Sequence, residues 1–412
     1  MKYGLLGKKL AHSFSKEIHD LIGDYGYELV EKTPDEVENF IKNGGFKAIN
    51  VTIPYKETVM PFLDVISDKA KMIGSVNTVV RRDGKLYGYN TDFIGFSSMI
   101  DRAGIEVKGK TVAVLGTGGT CKTAYAVCKS RGAKEVLKVS RNPDSDSISY
   151  LRLYERRKDI SVIVNTTPCG MYPDNESFAV DVDEFENLEG VVDVIYNPLK
   201  TPLLQRAEKR GLKTSNGLYM LVSQAVAASE LFFDTKYPED LLDEVYGKIL
   251  RSKRNIVLCG MPGSGKTTVG KLLAEMTGRK LVDTDDEIVK EIKTDIASFF
   301  KKFGESEFRK VESNVINEVS KQSGIIISTG GGAVLGRKNV DRLKQNGRIY
   351  FLDRPLSELV ATPDRPTADT DEKIRLRFEE RYPIYISCAD ETIDAHGSPE
   401  EIAAEIIRRG KE

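Results

Sequence analysis

The stretch GMPGSGKT at residues 260–267 constrains the fold of this chain more than any other. It matches the pattern G-x-x-x-x-G-K-[ST] and lies between the apolar run NIVLC and the helical pattern TTVGKLLAEM. A strand, a glycine turn and a helix in that order place backbone N–H groups at a helix N-terminus, where they bind phosphates. In such a loop Lys266 neutralises the β- and γ-phosphates and the Thr267 hydroxyl binds Mg²⁺. The residues predicted to bind the nucleotide are Gly260, Gly263, Ser264, Gly265, Lys266, Thr267 and Thr268. A glycine turn without a ligand is the alternative.

A second glycine-rich turn, LGTGGT at residues 115–120, lies in the first half. It follows the apolar run TVAVL and opens a helical pattern, as in dinucleotide-binding βα units. Gly116, Gly118 and Gly119 form G-x-G-G rather than the full fingerprint, so a turn that binds nothing is an alternative. The next strand, EVLKVS, ends near Arg141, whose charge suits the 2′-phosphate of NADP(H). A merely exposed arginine is the alternative there.

Short apolar runs alternate with helical patterns along all 412 residues, which predicts an α/β fold with two or three domains. The runs predicted as strands are YGLLG, AINVTI, TVAVLG, SVIVNT, VVDVIY, NIVLCG, GIIIST and RIYFLD; helices are predicted over 119–130, 202–210, 267–277 and 306–321. A helical run near 238–250 meets a basic cluster of Arg251, Lys253 and Arg254 without a flexible linker. We expect a Rossmann-like domain at 105–215, a substrate-binding part formed by 1–104 and 216–250, and a P-loop domain at 253–412.

The composition limits the classes of molecule that the protein is expected to bind. Lys and Arg number 61 against 62 Asp and Glu, and this balance predicts no nucleic-acid partner. No apolar run reaches the 18 or so residues that span a bilayer, which predicts no membrane association. Five widely spaced cysteines without a CxxC pair are typical of reduced thiols in a cytoplasmic protein. Only three histidines are present, so acid–base chemistry must rely on Lys, Asp, Glu or Arg. A homo-oligomer is left open.

The second half carries further polar residues in loops and on helices. Asp283 and Asp285 stand two apart at a strand end and are expected to point to the same side. One would hold Mg²⁺ and the other would accept a proton from a substrate hydroxyl; solvated acids that cap a helix are the alternative. Arg309 lies on a helical pattern, with an exposed ion-pairing role as its alternative. The residues that complete the set are Gly330, Gly331 and Gly332 after a buried strand, Arg365 in a loop, and Arg381.

Together these motifs resemble the shikimate kinase family over residues 253–412. The resemblance implies a P-loop NMP-kinase-like α/β fold, with Mg·ATP as donor and the 3-hydroxyl of shikimate as acceptor. It implies that Asp285 orients or deprotonates that hydroxyl and that Arg309 and Arg381 clamp the carboxylate. It also implies that Gly330–Gly332 contact the ring, that Arg365 contacts ATP from a closing lid, and that Thr267 and Asp283 hold Mg²⁺. Near Ala361 the chain departs from the family, which usually has an arginine that packs on adenine.

The first half offers polar groups outside the glycine turn. Ser13 and Ser15 stand two apart, and we expect them to face the same way on an extended segment. Thr52 and Lys56 follow a buried strand. Asn77 and Asp92 lie in later turns. For each residue alone a structural role is the alternative: serine or asparagine in a turn, Asp92 as a helix N-cap, Lys56 in solvent.

As a set, residues 1–250 resemble the shikimate dehydrogenase family, also through NTTPCGM, YNPLKTPLL and NGLYMLVSQA. The resemblance implies reversible reduction of 3-dehydroshikimate by NADPH, with Lys56 and Asp92 as the catalytic pair. The substrate-binding residues it implies are Ser13, Ser15, Thr52, Asn77, Asp92, Tyr196 and Gln224. The cofactor-binding residues it implies are Gly116, Gly118, Gly119, Arg141, Asn165, Thr166 and Gly217.

The two resemblances name consecutive reactions of aromatic amino acid (chorismate) biosynthesis. We therefore expect a bifunctional enzyme that makes shikimate and then phosphorylates it. Two alternatives stay open. The first is a nucleotide-binding scaffold in which one half, most readily the kinase half, is impaired. The second is a quinate/shikimate-type dehydrogenase fused to a different small-metabolite kinase.

Overall fold

The computed structural model describes residues 2–10, 13–359 and 371–410. The chain forms two compact units, Met1–Ile249 and Leu250–Glu412. They divide next to the predicted junction, although the helix predicted near 238–250 extends over Leu241–Lys253. None of the helices in the described part of the chain combines the length and apolar character that a membrane span needs.

The first unit begins with a mixed six-stranded sheet. Its strands are β1 (Tyr3–Gly7), β2 (Tyr27–Glu31), β3 (Ala48–Val51), β4 (Val65–Ile66), β5 (Thr78–Arg82) and β6 (Lys85–Tyr89). The helices along this segment are α1 (Ser15–Ile22), α2 (Val37–Asn43), α3 (Asp68–Ile73) and α4 (Asp92–Arg102). The strand order is β2-β1-β3-β5-β6-β4, with β5 antiparallel to both neighbours. The central strands β1 and β3 are buried along their whole length, as expected of continuous apolar runs.

A second, fully parallel sheet follows in the same unit. Its elements are β7 (Thr111–Leu115), α5 (Gly119–Ser130), β8 (Glu135–Ser140), β9 (Ile148–Ser149), α6 (Tyr150–Glu155), β10 (Ile160–Asn165), β11 (Gly190–Asp193), α7 (Pro202–Lys209) and β12 (Lys213–Ser215). The order β12-β11-β10-β7-β8-β9 is that of dinucleotide-binding sheets. Strands β8 and β9 are added on one side of β7 and strands β10 to β12 on the other, so the strand order reverses between β7 and β10. Ligands of such sheets bind at the carboxyl ends of the strands beside this reversal.

After the second sheet the chain returns to the first part of the unit through α8 (Leu218–Phe233) and α9 (Leu241–Lys253). Helix α8 packs closely on α4 because Gly95 has no side chain: a Cβ there would lie 2.6 Å from the carbonyl oxygen of Met220. This packing brings the start of α4, which carries Asp92, beside α8, which carries Gln224. The domain division predicted within residues 1–250 stays a prediction, although the two sheets occupy the expected segments.

The second unit is a parallel sheet covered by helices. Its elements are β13 (Asn255–Cys259), α10 (Lys266–Thr277), β14 (Leu281–Asp283), α11 (Thr284–Ile292), α12 (Ile296–Ser320), β15 (Ile326–Ser328), α13 (Arg337–Asn346), β16 (Gly347–Asp353), α14 (Asp371–Cys388), β17 (Glu391–Asp394) and α15 (Pro399–Arg409). The order β14-β15-β13-β16-β17 puts β13, which precedes the phosphate-binding loop, at the centre. Helix α12 starts ten residues before the predicted 306 and breaks at Gly304, whose φ is 81°.

The α/β fold class is confirmed, and each apolar run predicted as a strand forms one. The predicted helix at 119–130 coincides with α5, and those at 202–210 and 267–277 match α7 and α10 to within a residue. These elements were predictable because their apolar periodicity, the glycines before α5 and α10, and the Thr-Pro pair that opens α7 agree with one another.

Candidate active sites in the two units

The first unit contains a cavity of about 430 Å³ lined by all seven residues predicted to bind the dehydrogenase substrate. At its wall the Lys56 ammonium donates a hydrogen bond to Asp92 Oδ2 at 2.6 Å. Both side chains are largely buried, 21% and 13% exposed. Lys56 lies in the turn after β3, held by a hydrogen bond from the Val76 amide to its carbonyl at 2.8 Å. Lys56 is therefore not simply solvated, and Asp92 is the first residue of α4 rather than its N-cap.

A buried polar network holds the wall beside this pair. Asn77 Oδ1 accepts hydrogen bonds from the Thr91 amide at 2.7 Å and from the Thr78 hydroxyl at 3.0 Å, and its Nδ2 donates to Thr91 Oγ1 at 3.0 Å. Thr91 in turn immediately precedes Asp92, so the network fixes the start of α4. Because Oδ1 is saturated by protein donors, Asn77 has only its amide N–H to offer to a ligand.

Asn50 and Tyr27 extend the network and were not predicted. Tyr27 donates to Asn50 Oδ1 at 2.8 Å, and Asn50 Nδ2 donates to Thr78 Oγ1 at 3.2 Å. Asn50 also lines the cavity, as do Thr52, Tyr196 and Gln224. Asn50 belongs to the strand AINVTI, where alternation identifies it only as a polar residue among apolar neighbours. That it is buried at 4% exposure with a full set of partners is a tertiary property.

The extended segment expected for Ser13 and Ser15 is wrong. Ser15 is the first residue of α1, and its amide donates to Ser13 Oγ at 3.2 Å. Ser13 itself turns back on the chain, with its amide bound to the carbonyl of Leu10 at 2.9 Å. Local hydrogen bonding by serine opens a helix here, which the period-2 argument did not consider. Both serines nevertheless line the cavity.

The glycine turn after β7 lies beside the carboxyl end of its parallel neighbour β10. Gly116 has a φ of 103°, and a Cβ on it would come within 3.0 Å of Thr166 Oγ1, so this position requires glycine. Gly118 and Gly119 are different: a Cβ on either would meet no heavy atom within 4 Å. They leave open space in front of the N-terminus of α5, whose first amides have no intrahelical partner. This arrangement fits a dinucleotide pyrophosphate.

The other predicted cofactor residues occupy distinct settings. Arg141 is exposed just after β8, at the carboxyl edge of the sheet. Asn165 is completely buried and donates to Asp193 Oδ1 at 3.0 Å, so its side chain braces the turn rather than facing the open space. Gly217 lines the substrate cavity. A Cβ on Gly217 would lie 2.0 Å from the carbonyl oxygen of Val194, so only glycine lets α8 start this close to that carbonyl.

Asp193 is a buried carboxylate that sequence reasoning missed. It accepts hydrogen bonds from the Thr201 hydroxyl at 2.7 Å, the Ile195 amide at 3.0 Å and Asn165. Burial raises its pKa to about 6, and these donors oppose the shift. The sequence VVDVIY shows an acid in an apolar strand, which is itself a signal for a paired or functional group.

In the second unit the phosphate-binding loop joins β13 to α10. Gly260, Gly263 and Gly265 have φ values of 147°, 86° and 88°, which only glycine adopts readily. Lys266 begins α10 and is 9% exposed; its ammonium donates to the carbonyls of Gly260 at 3.0 Å and Met261 at 2.9 Å. The loop thus holds a buried cation at the helix N-terminus, which fits a polyphosphate.

Thr267 and Asp283 meet at the edge of this loop. The Thr267 hydroxyl donates to Asp283 Oδ2 at 3.1 Å. A hydroxyl and a carboxylate are hard oxygen ligands, and Mg²⁺ in phosphate sites typically uses one or two of these together with water and phosphate oxygens. The pair therefore fits the predicted metal.

The expectation that Asp283 and Asp285 share one side of a strand is wrong. Asp283 ends β14 and caps α11 by accepting from the Asp285 amide at 3.0 Å, while Asp285 lies in the first helical turn. Asp285 instead approaches Gly330, where an added Cβ would stand 2.5 Å from its Oδ1. Asp283 therefore caps the helix, and both aspartates line the cavity of this unit.

A cavity of about 630 Å³ is lined by the predicted kinase residues of the described part of the chain, except Gly260 and Ser264. Arg309 packs on Gly332, where a Cβ would stand 2.4 Å from its Nη1. Arg381 is 2% exposed and donates to the Gly331 carbonyl at 3.2 Å. Its buried Nε has no hydrogen-bond partner among the described residues, which suits an incoming anion. Gly330–Gly332 have no positive φ. These positions therefore need glycine because a side chain would not fit, and not because of the backbone conformation.

Glu312 completes the cavity and was not predicted. It is 2% exposed, accepts from Arg309 Nη1 at 2.8 Å, and lines the cavity. Burial raises its pKa, against the opposing effect of the Arg309 charge. The signal was present in FRKVE, since Glu312 follows Arg309 by three residues on one helix. Arg365 and Ala361 lie outside the described residues.

Comparisons with known proteins agree with this geometry. The family model for the shikimate dehydrogenase substrate binding domain matches residues 5–79, and that for shikimate kinase matches residues 262–411. A shikimate dehydrogenase (NADP(+)) of Clostridium perfringens strain 13 is 40% identical over 265 residues, which cover 60% of this chain and 97% of the relative. The chain belongs to the shikimate dehydrogenase family.

Solved structures of this family superpose on the same part of the chain. Shikimate dehydrogenase 1 of Peptoclostridium difficile is 39% identical with a TM-score of 0.55, covering 60% of this chain and 98% of its own. A chorismate mutase/shikimate 5-dehydrogenase fusion protein from Clostridium acetobutylicum is also 39% identical, with a TM-score of 0.57 and coverages of 60% and 96%. Because a shikimate kinase domain follows in this chain, the predicted dehydrogenase–kinase fusion is confirmed, as are its NADP and Mg·ATP cofactor classes.

Proposed function

We propose that this chain catalyses two consecutive reactions. The unit Met1–Ile249 reduces 3-dehydroshikimate to shikimate with NADPH, and the unit Leu250–Glu412 phosphorylates the 3-hydroxyl of shikimate with Mg·ATP. The observation that carries the proposal is that each unit has its own polar cavity with the matching residue set, Lys56–Asp92 in one and Lys266 with Asp285, Arg309 and Arg381 in the other. All five cysteines are free thiols, which supports our assignment of both reactions to the cytoplasm.

In the reduction, bound NADPH supplies the hydride to the carbonyl carbon. The Lys56 ammonium donates a proton to the carbonyl oxygen, so that the ketone becomes the alcohol. Asp92, 2.6 Å away, orients the ammonium and accepts a hydrogen bond from the substrate on its remaining lone pairs. Lys56 is the general acid and Asp92 is its orienting partner.

Neutral donors hold the substrate against this pair. Ser13, Ser15 and Thr52 contribute hydroxyls, and Asn77 contributes its amide N–H. Gln224 approaches from α8, with Oε1 3.5 Å from the Thr91 hydroxyl. Each of these groups forms a hydrogen bond with the substrate in the proposed complex. An analogue without the matching hydroxyl therefore leaves a buried polar atom unpaired. The α5 N-terminus and Arg141 bind the cofactor phosphates.

In the phosphorylation, Asp285 accepts the proton of the 3-hydroxyl while Arg309 and Arg381 hold the carboxylate. Lys266 leaves its carbonyl partners for the phosphate oxygens and balances their charge. Thr267 and Asp283 hold Mg²⁺, which neutralises further phosphate charge when bound. Positioning and permanent charge supply most of the acceleration in this class of reaction.

Three rates measured on the purified full-length chain test the proposal: NADPH with 3-dehydroshikimate, ATP with shikimate, and NAD with quinate. We expect the first two to be robust and the third to be slow. A chain without ATP-dependent phosphorylation of shikimate contradicts the bifunctional assignment. Faster turnover of quinate with NAD favours the quinate-type alternative instead.

A further inference from the structure

The dehydrogenase cavity is lined by one charged residue to which the proposed mechanism gives no role, Lys9. Lys9 follows β1 and shares the cavity wall with Leu10, Ser13 and Ser15. Its neighbour Lys8 is also exposed but does not line the cavity. Of these two adjacent lysines, only Lys9 is among the residues that line the cavity.

The backbone around Lys9 is held in place. The Leu10 amide donates to Glu31 Oε1 at 2.6 Å, and the Ser13 amide donates to the Leu10 carbonyl at 2.9 Å. Behind them, Gly7 packs so closely that a Cβ would lie 2.5 Å from Leu10 and 2.9 Å from Thr52. Lys9 is thus fixed at its base between the end of β1 and the turn that carries Ser13.

The charge of the cavity makes this position informative. Among the described residues that line it, the charged ones are Lys9, Lys56 and Asp92. Lys56 and Asp92 pair with each other at 2.6 Å, so their charges largely cancel at a distance. No acidic side chain of the described residues forms an ion pair with Lys9. Lys9 therefore adds a positive charge to the wall that bears Ser13 and Ser15, and the carboxylate of the nearby Glu31 is bound by the Leu10 amide.

We propose that Lys9 binds the carboxylate of the dehydrogenase substrate and selects cyclic ketones that bear this group. The inference rests on the proposed reduction of 3-dehydroshikimate. Because Lys9 is exposed and acts as a flexible point charge, its contribution is modest and screened by salt. It lowers KM without taking part in the proton transfer at Lys56.

Steady-state kinetics of Lys9→Met and Lys8→Met in the full-length chain test this role. We expect Lys9→Met to raise KM for 3-dehydroshikimate roughly fivefold, as for an exposed ion pair, with kcat unchanged. Lys8→Met, which removes the same charge beside the cavity, leaves KM unchanged. Lys9→Arg restores most of the loss. The NADPH absorbance reports only this reaction, so shikimate binding to the kinase unit does not interfere.

Two further readouts separate charge recognition from a change of shape. KM of the wild-type chain rises with ionic strength, and this dependence is weaker in Lys9→Met. With the methyl ester of shikimate in the oxidative direction, Lys9→Met and the wild type have the same KM. Equal KM values of Lys9→Met and Lys8→Met on the free acid overturn the role of Lys9 while leaving the reduction intact. A wild-type chain that does not reduce 3-dehydroshikimate at all overturns both.

Discussion

The two cavities differ in the charged groups that line them. In the kinase unit Arg381, at 2% exposure, is a buried cation at the cavity wall, and the partly exposed Arg309 pairs with Glu312, which is itself 2% exposed. In the dehydrogenase cavity the most deeply buried lining groups are neutral, such as Asn50 and Asn77, while the charge comes from the largely buried Lys56–Asp92 pair and from the exposed Lys9.

The difference follows from what each reaction has to balance. Phosphoryl transfer brings together a polyphosphate and a carboxylate, so it requires several permanent cations that do not have to reorganise. Hydride transfer to a ketone requires one proton at one oxygen, and a single ion pair supplies it. The kinase unit accordingly has permanent positive charge at its cavity. The dehydrogenase unit has a network of neutral groups whose hydrogen bonds are satisfied within the protein.

The largest expected effects separate the two units. Lys56→Ala removes the proton donor and should lower the rate of reduction by about 10²–10⁴-fold, the range for a general acid. Lys266→Ala should abolish phosphorylation, because the loop loses its buried cation. Each variant keeps the other activity at the wild-type rate, measured as NADPH oxidation and ADP formation. Loss of both activities in either variant contradicts the independence of the two sites.

Two alanine substitutions in one loop sharpen the description of the kinase cavity. Gly332→Ala puts a Cβ 2.4 Å from Arg309 Nη1 and should raise KM for shikimate by roughly tenfold or more, the loss of one charge-assisted contact. Gly330→Ala puts a Cβ 2.5 Å from Asp285 Oδ1 and should act mainly on kcat. Each serves as the control for the other, with the full kinetic curve as the measurement. Identical changes in both variants refute the assignment of separate partners.

Buried carboxylates extend the comparison to pH. Glu312 has an arginine partner, whereas Asp193 has only neutral donors and a pKa of about 6 against 3.8 for the free side chain. The folded state therefore binds more protons between these values, and stability falls as pH rises from about 4 to 6. The two-unit shift corresponds to at most about 3 kcal/mol.

Asp193→Asn supplies the control, because the amide stays neutral and keeps an acceptor for Asn165 and Ile195. Urea unfolding of the dehydrogenase unit within the full-length chain should give a wild-type free energy that falls by about 2 kcal/mol relative to the variant between pH 4.5 and 7. A difference that is independent of pH shows that Asp193 titrates normally.

The smallest expected effect concerns the cofactor. Arg141 is exposed, so its contact with a 2′-phosphate is screened by solvent. Arg141→Ala should reduce the preference for NADPH over NADH by about five- to tenfold, through KM for NADPH alone. Kinetics with both cofactors measure the ratio. An unchanged ratio would assign the preference to another group at the edge of the sheet.

The sequence predicted what depends on short spacings. Gly116, Gly260 and Lys266 lie where a strand–turn–helix pattern puts them, because backbone conformation at those turns is local. The strands of the sheets were predictable for the same reason, since buried parallel strands are continuous apolar runs.

The errors lie where local hydrogen bonds or tertiary contacts compete with periodicity. Ser15 begins a helix and Asp283 caps one. In both places local hydrogen bonds of short polar side chains determine the structure, and the side-chain alternation of a strand does not apply. From the sequence alone, Glu312 is expected to form a surface ion pair. It is buried only because α12 packs over the sheet. Asn50, Tyr27 and Asp193 belong to networks whose members lie far apart in sequence.

The most direct test of two linked active sites is a single reaction of the full-length chain with 3-dehydroshikimate, NADPH and Mg·ATP. We predict one ADP formed for each NADPH oxidised, with shikimate 3-phosphate as the product in ³¹P NMR and no ADP from 3-dehydroshikimate when NADPH is omitted. Oxidation of NADPH with accumulating shikimate and no ADP would contradict the account.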